Sequence, residues 1–165
     1  MHTYPLYRIR LRIVEIIAHA APYIAARLRF VRPSSITRFE QLDTLPEGSL
    51  GWVIAAELRR QSLHPLEHSI RHDIRHAVFG YAMNTVGEVR LQACILGNRR
   101  YKWHNLLFLT IAVAMLPELW RWLPYDYLKG RTALSLDEQP LESRLADDLM
   151  ALRQEWHVTC MNAST

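Results

Sequence analysis

Apolar positions recur at helical spacing along almost the whole chain, and turn-forming residues cut that pattern into segments. Residues 6–31 set apolar side chains among arginines, predicting a helix that Pro22 kinks or splits. "RPSSITRFEQLDTLPEGSLG" breaks the pattern at Pro33, Pro46, Gly48 and Gly51, so a short helix between turns is expected there. "SLGWVIAAELRRQSL" resumes the period, with Ser49 as its cap. "HPLEHSIRHDIRHAVFG" starts a second long helix at His64 and Pro65 and closes it at Gly80. "NTVGEVRLQACILGN" predicts a helix ending at Gly97, "WHNLLFLTIAVAMLPELWRW" a further one, and "PLESRLADDLMALRQEWH" a last amphipathic one. No run alternates with period two for long. The expected fold is therefore all-α, a single-domain multi-helix bundle.

The longest nearly apolar run, "LLFLTIAVAML" at residues 106–116, falls well short of the roughly 20 residues that a spanning helix needs, and reads as a buried core helix. "PELWRWLPYDYLKGR" packs two Trp, two Tyr, two Pro and a Gly into one stretch. It reads as core or interface filler, with an aromatic wall around an apolar ligand as the sharper alternative.

Composition narrows the class. The chain has 165 residues, half of them apolar, enough for one real core. Residues 1–32 hold six Arg against one acid, Glu15, a balance of +5; with +4 for the whole chain, the remainder sums to −1. The basic character is local, which divides the chain into a basic amphipathic arm at 1–32 and a helical domain at 33–165. Such an arm suits an anionic membrane surface or a partner protein, and without aromatic RNA motifs or zinc-finger spacing no nucleic acid is expected. Cys94 and Cys160 are far apart and form no CxxC pair, so neither a disulfide framework nor a cysteine zinc site is indicated. The N-terminal stretch lacks the continuous apolar core and cleavage site of a secretory signal. A cytoplasmic bacterial protein is the expected setting.

Candidate chemistry centres on "RHDIRHAVFGYAMNTVGEVR". His72 and His76 lie one turn apart on one helix face, the spacing at which two imidazoles share a metal, and Asp73 lies beside them. His64 and His68 continue the spacing backwards, as surface or supporting residues. On an unbroken helix Glu88 would sit about 18 Å along the axis from His76. Gly80, Asn84 and Gly87 supply a break, so an αα-hairpin would return Glu88 to the histidines. A competing account stays open: "TVGE" is a capping box in which Glu88 would bond the Thr85 amide, and the His pair would be a surface coincidence in a chain with eight His.

HDxxH followed by eleven residues and Glu, here His72, Asp73, His76 and Glu88, resembles the signature of the Coq4 family of ubiquinone biosynthesis proteins. "LDTLPEGSLG" upstream is similar to the family's Leu-Pro-x-Gly-Ser/Thr-Leu-Gly segment, and "YLKGR" with the following Pro-Leu and Arg-containing helix resembles its C-terminal pattern, so the likeness spans most of 40–155. Arg75 departs from the aromatic or apolar residue of many members, and the Arg-rich arm has no family counterpart. The resemblance implies an all-α protein in which His72, Asp73, His76 and Glu88 bind a divalent ion, commonly zinc, with iron or magnesium as alternatives. It implies a prenylated quinone precursor or other isoprenoid lipid as ligand, at the inner membrane surface. Arg75 and Tyr81 are substrate-contact candidates, Arg75 for a positive charge near the site that could pair with a carboxylate, with a solvated helix face as its other reading. Other quinone biosynthetic enzymes and a second copy of the chain are implied partners. The implied chemistry is oxidative C1 decarboxylation of a polyprenylated 4-hydroxybenzoate, as in a 4-hydroxy-3-methoxy-5-polyprenylbenzoate decarboxylase-like lyase. The rival within the family is a non-catalytic lipid-binding scaffold. A His-Asp dipeptide also marks HD-type phosphohydrolases, but the further His and Asp ligands those sites use do not stand out here.

Overall fold

The computed structural model describes residues 5–28, 42–61, 70–98 and 103–159, and in the first helix the side chains as far as Ile17. His64, His68, Cys160 and most of the short helix expected after Pro33 lie outside the described residues. Seven α-helices are bounded among the described residues, in order: α1 (Pro5–Leu28), α2 (Leu50–Arg60), α3 (Ile70–Phe79), α4 (Thr85–Gly97), α5 (Trp103–Met115), α6 (Leu123–Thr132) and α7 (Leu149–Glu155). Among the described residues there is no strand, and the fold is all-α as the periodicity predicts. No described helix is long and apolar enough to cross a membrane.

Helix α4 stands between two apolar clusters. Leu91, Cys94 and Ile95 join Ile54, Ile74, Phe79 and Trp156 in one; Val89 and Ala93 join Val14, Phe108, Leu109, Ala112 and Leu116 in the other. A helix buried on two sides needs apolar residues nearly all round, which is the composition of "TVGEVRLQACILG". Its tightest neighbour is α6. A Cβ on Gly130 would lie 1.8 Å from the Cys94 carbonyl oxygen, and one on Gly97 would lie 1.9 Å from that of Tyr127. Only glycine lets the two backbones come so close. Arg90 then meets Asp126, and Asn98 reaches the carbonyls of Gly130, Ala133 and Leu134.

Several expectations need correction. Helix α1 runs through Pro22 as one element rather than splitting there. Helix α5 is not a buried core helix: Phe108, Leu109 and Ala112 are buried, but Trp103, Leu106 and Leu107 face outward, because α1 and α4 cover only part of its circumference. It stops at Met115, two residues before Pro117, which opens a 3₁₀ turn instead. The aromatic segment is not core filler, since Trp120, Trp122, Tyr125 and Tyr127 are all exposed. The last predicted helix is two pieces, a 3₁₀ turn at Leu141–Arg144 and α7. Between them the backbone pairs with the "GSLG" turn, Leu50 N–H donating to the Asp147 carbonyl and Gly51 N–H to that of Leu145, and Asp148 caps α7. Ser49 caps α2 from the other side of that junction, as expected.

Candidate metal centre

Helix α3 ends in a Schellman motif. Gly80 takes φ +71°, Tyr81 N–H donates to the His76 carbonyl at 3.0 Å and Gly80 N–H to that of Ala77 at 3.2 Å. Arg153 donates to the carbonyls of Ala77 and Val78, and Lys129 to that of Phe79, so two cations stand at the negative end of the helix. Four residues later Asn84 caps α4, its side chain accepting from Gly87 N–H at 2.9 Å. Gly87 packs on the Ala82 backbone, where a Cβ would lie 1.9 Å from the carbonyl oxygen, and that contact lets the hairpin close.

The predicted hairpin thus forms and returns Glu88 to the histidines. Its Oε2 lies 2.9 Å from Nε2 of His72 and 3.0 Å from Nε2 of His76, and one ligand atom from each of the three residues lies within 4.8 Å of the others. The capping-box account of Glu88 fails here: Asn84 does the capping, and the Glu88 carboxylate faces the imidazoles and Gln92. His76 is buried, Glu88 is largely covered, and His72, with 39% of its side-chain surface exposed, forms the open edge.

Asp73 is buried, and its Oδ1 lies 3.6 Å from Nδ1 of His72, the nitrogen on the ring's other side from Glu88. It does not belong to the converging group of three. Arg75 is paired with Asp137, so its guanidinium already has a carboxylate. Tyr81 turns its hydroxyl to Asp126 at 2.8 Å, in a network where Arg90 grips the same carboxylate with two nitrogens and lies over the Tyr81 ring. Its backbone serves the site instead, the carbonyl standing 3.2 Å from Nδ1 of His76. Gln92 and the Arg90–Asp126 pair went unmarked in the sequence, and Asn84 was marked as part of the break rather than as the cap. Gln92 had one available signal, its place one helical turn beyond Glu88.

Hydrogen-bond chemistry tests whether these residues fit a cation. A carbonyl only accepts, so Nδ1 of His76 carries its hydrogen, and in the neutral ring Nε2 is left with a lone pair. That lone pair faces a carboxylate oxygen, another acceptor, at 3.0 Å. A proton between the two atoms or a metal ion must reconcile them. Between His72 and Glu88 the balance favours the ion pair: burial opposes a charged His72, but the Asp73 and Glu88 carboxylates outweigh it and raise its pKa to about 10. Burial likewise opposes the Glu88 anion, and the two imidazoles overcome it and hold the carboxyl well below the usual range. Two imidazole nitrogens and one carboxylate oxygen, with room for a further ligand, form the donor set of many catalytic zinc sites and of non-haem iron sites.

No family model matches the sequence, and no curated protein is significantly similar to it. Among solved structures, the fold is similar to the crystal structure of a protein from Nostoc punctiforme PCC 73102 provisionally assigned to ubiquinone biosynthesis. The superposition has a TM-score of 0.62 at 20% identity and covers 94% of this chain and 83% of that one. A match of that extent at that identity shows that the two chains share a fold over most of their lengths.

Proposed function

We propose that this chain is a Coq4-like quinone biosynthesis protein in which His72, His76 and Glu88 hold a divalent ion and Asp73 steadies His72 from behind. The convergence of those three donors across the α3–α4 hairpin carries the reading. The fold shared with the Nostoc protein supports it, and so does the sequence resemblance. When bound, the ion would supply a positive charge that polarises a carboxylate or phenolate oxygen of the ligand. Zinc and iron suit two imidazoles better than magnesium, which prefers oxygen donors.

The substrate in this reading is a polyprenylated 4-hydroxybenzoate. At C1 the bond to the carboxylate breaks and carbon dioxide leaves, while an oxygen from water bonds in its place as a hydroxyl and one proton is released. The ring gives up two electrons, so an oxidant such as dioxygen must take them, and iron is then the more fitting metal because zinc has no redox chemistry. The residues' own work is plain. Tyr81 holds the His76 ring through its carbonyl, the hairpin presents the donors on one side, and His72 leaves an exposed edge by which a head group enters.

A second reading has its own observation. An apolar groove of about 370 Å³, lined by Leu96, Leu109, Val113, Trp120, Leu123 and Tyr127, could hold a prenyl tail while partner enzymes do the chemistry. One assay separates the readings: protein loaded with iron(II) or zinc is given a short-chain prenyl 4-hydroxybenzoate in air. Loss of carbon dioxide with gain of a hydroxyl by mass spectrometry supports the enzyme. Tight binding without turnover supports the scaffold. Cells lacking the protein should accumulate a prenylated benzoate in the first case.

A further inference from the structure

Glu88 divides its two carboxylate oxygens. Oε2 faces both histidines, while Oε1 accepts from Nε2 of Gln92 at 2.7 Å. Because an ionised carboxylate only accepts, the Gln92 amide must turn its nitrogen to Glu88, which leaves Gln92 Oε1 pointing elsewhere. That oxygen is buried and has no hydrogen-bond partner among the described residues, and the residue as a whole is only 8% exposed. An i, i+4 pair serving helix stability alone would sit on the solvent face, where both ends of the amide are hydrated. Here the chain buries an amide, satisfies one end on a charged oxygen and leaves the other unpaired.

We infer that Gln92 is the positioning residue of the metal centre: its amide holds Oε1 of Glu88 away from the site, so that Glu88 offers the ion one oxygen and a coordination position stays open. This rests on the metal-centre reading above. A carboxylate free to rotate could place both oxygens on the ion and fill the position that the ligand needs. The groups orienting the donors then number three: the Tyr81 carbonyl for His76, Asp73 for His72 and Gln92 for Glu88. Partners of this kind commonly set metal affinity by about 10- to 100-fold.

The test is a double-mutant cycle read by cobalt(II) affinity and visible spectrum, with helix content checked by circular dichroism. Gln92→Met keeps length and removes both polar atoms. In the otherwise unchanged protein it should weaken cobalt binding roughly tenfold or more and shift the visible bands. In the Glu88→Ala background the same change should alter affinity by less than about threefold, because the group through which Gln92 acts is gone. Equal losses in both backgrounds, or no loss in the first, would overturn the assignment. Gln92→Ala gives the same pair of comparisons should the Met variant not fold. Failure of the unchanged protein to bind cobalt or zinc would instead remove the metal centre itself, and that result appears before any substitution is made.

Discussion

Glu88 is the residue on which the metal centre turns, because one of its oxygens touches both imidazoles. Glu88→Gln keeps the shape and a carbonyl but removes the charge. The variant should fold with near-normal helix content, since Asn84 and not Glu88 caps α4, yet retain metal at least roughly tenfold less well. His76→Ala should show the same loss by elemental analysis. Asp73→Asn should lose less than either, as its carboxylate stands behind His72. Unchanged metal content in both Glu88→Gln and His76→Ala would dismiss the site. Cys94 allows a separate test. Burial pushes its thiol up to about 12 even with the Lys129 cation nearby, so moving from pH 7 to pH 9 should generate almost no thiolate. In a Cys160→Ser background, Cys94 should resist a thiol-disulfide reagent across that range and react fully once denaturant is added. Labelling that rises with pH in the folded protein would contradict its burial.

At the scale of elements, the α4–α6 contact depends on missing side chains. Gly130→Ala would improve helix propensity by about 1 kcal/mol, but its Cβ would overlap the Cys94 carbonyl, a backbone atom that cannot rotate away. The helices must separate, and overpacking of this kind costs about 1–3 kcal/mol. A lower urea midpoint is therefore expected for Gly130→Ala in metal-free protein. A raised midpoint would show that the helices yield without loss. Separation also pulls Asp126 from Arg90 and Tyr81, the network that fixes the residue whose carbonyl holds His76.

The whole molecule carries an uneven surface. On α1, Val14 faces the second apolar cluster, yet Leu6, Ile9, Ile13 and Ile16 form an exposed stripe at helical spacing, with Arg8 and Arg12 exposed beside it. The neighbouring α5 exposes Trp103, Leu106 and Leu107, and the turn after it Trp120 and Trp122. Apolar and aromatic groups flanked by arginine suit an anionic lipid surface, which is where a prenylated ligand would be met. Binding to vesicles containing an anionic phospholipid should be measurable in sedimentation. It should weaken as salt rises from 0.1 M toward 1 M, where the screening length falls from about 10 Å to about 3 Å. Arg8→Glu with Arg12→Glu should weaken it further at low salt. Retention of full binding in that double variant would leave the apolar stripe for a protein partner.

Local physics made much of this readable beforehand. Helical periodicity announced α2, α3 and α4. Ser49 announced a cap, and Gly80 announced an end, because capping and positive φ depend on a few neighbouring residues. The spacing of His72 and His76, and the need for a bend before Glu88, followed from helix geometry alone. Other features required the packed molecule. Whether Glu88 capped a helix or faced the histidines depended on where α3 and α4 lay, since the local sequence satisfied both. Arg75 and Tyr81 looked available until Asp137 and Asp126, remote in sequence, were brought against them. An apolar run cannot declare how many of its sides will be covered, which is why α5 and the aromatic segment proved half open. Gln92 is an ordinary polar residue on paper; burial beside Glu88, with one amide end left unpaired, comes only from the folding of α4 between its neighbours.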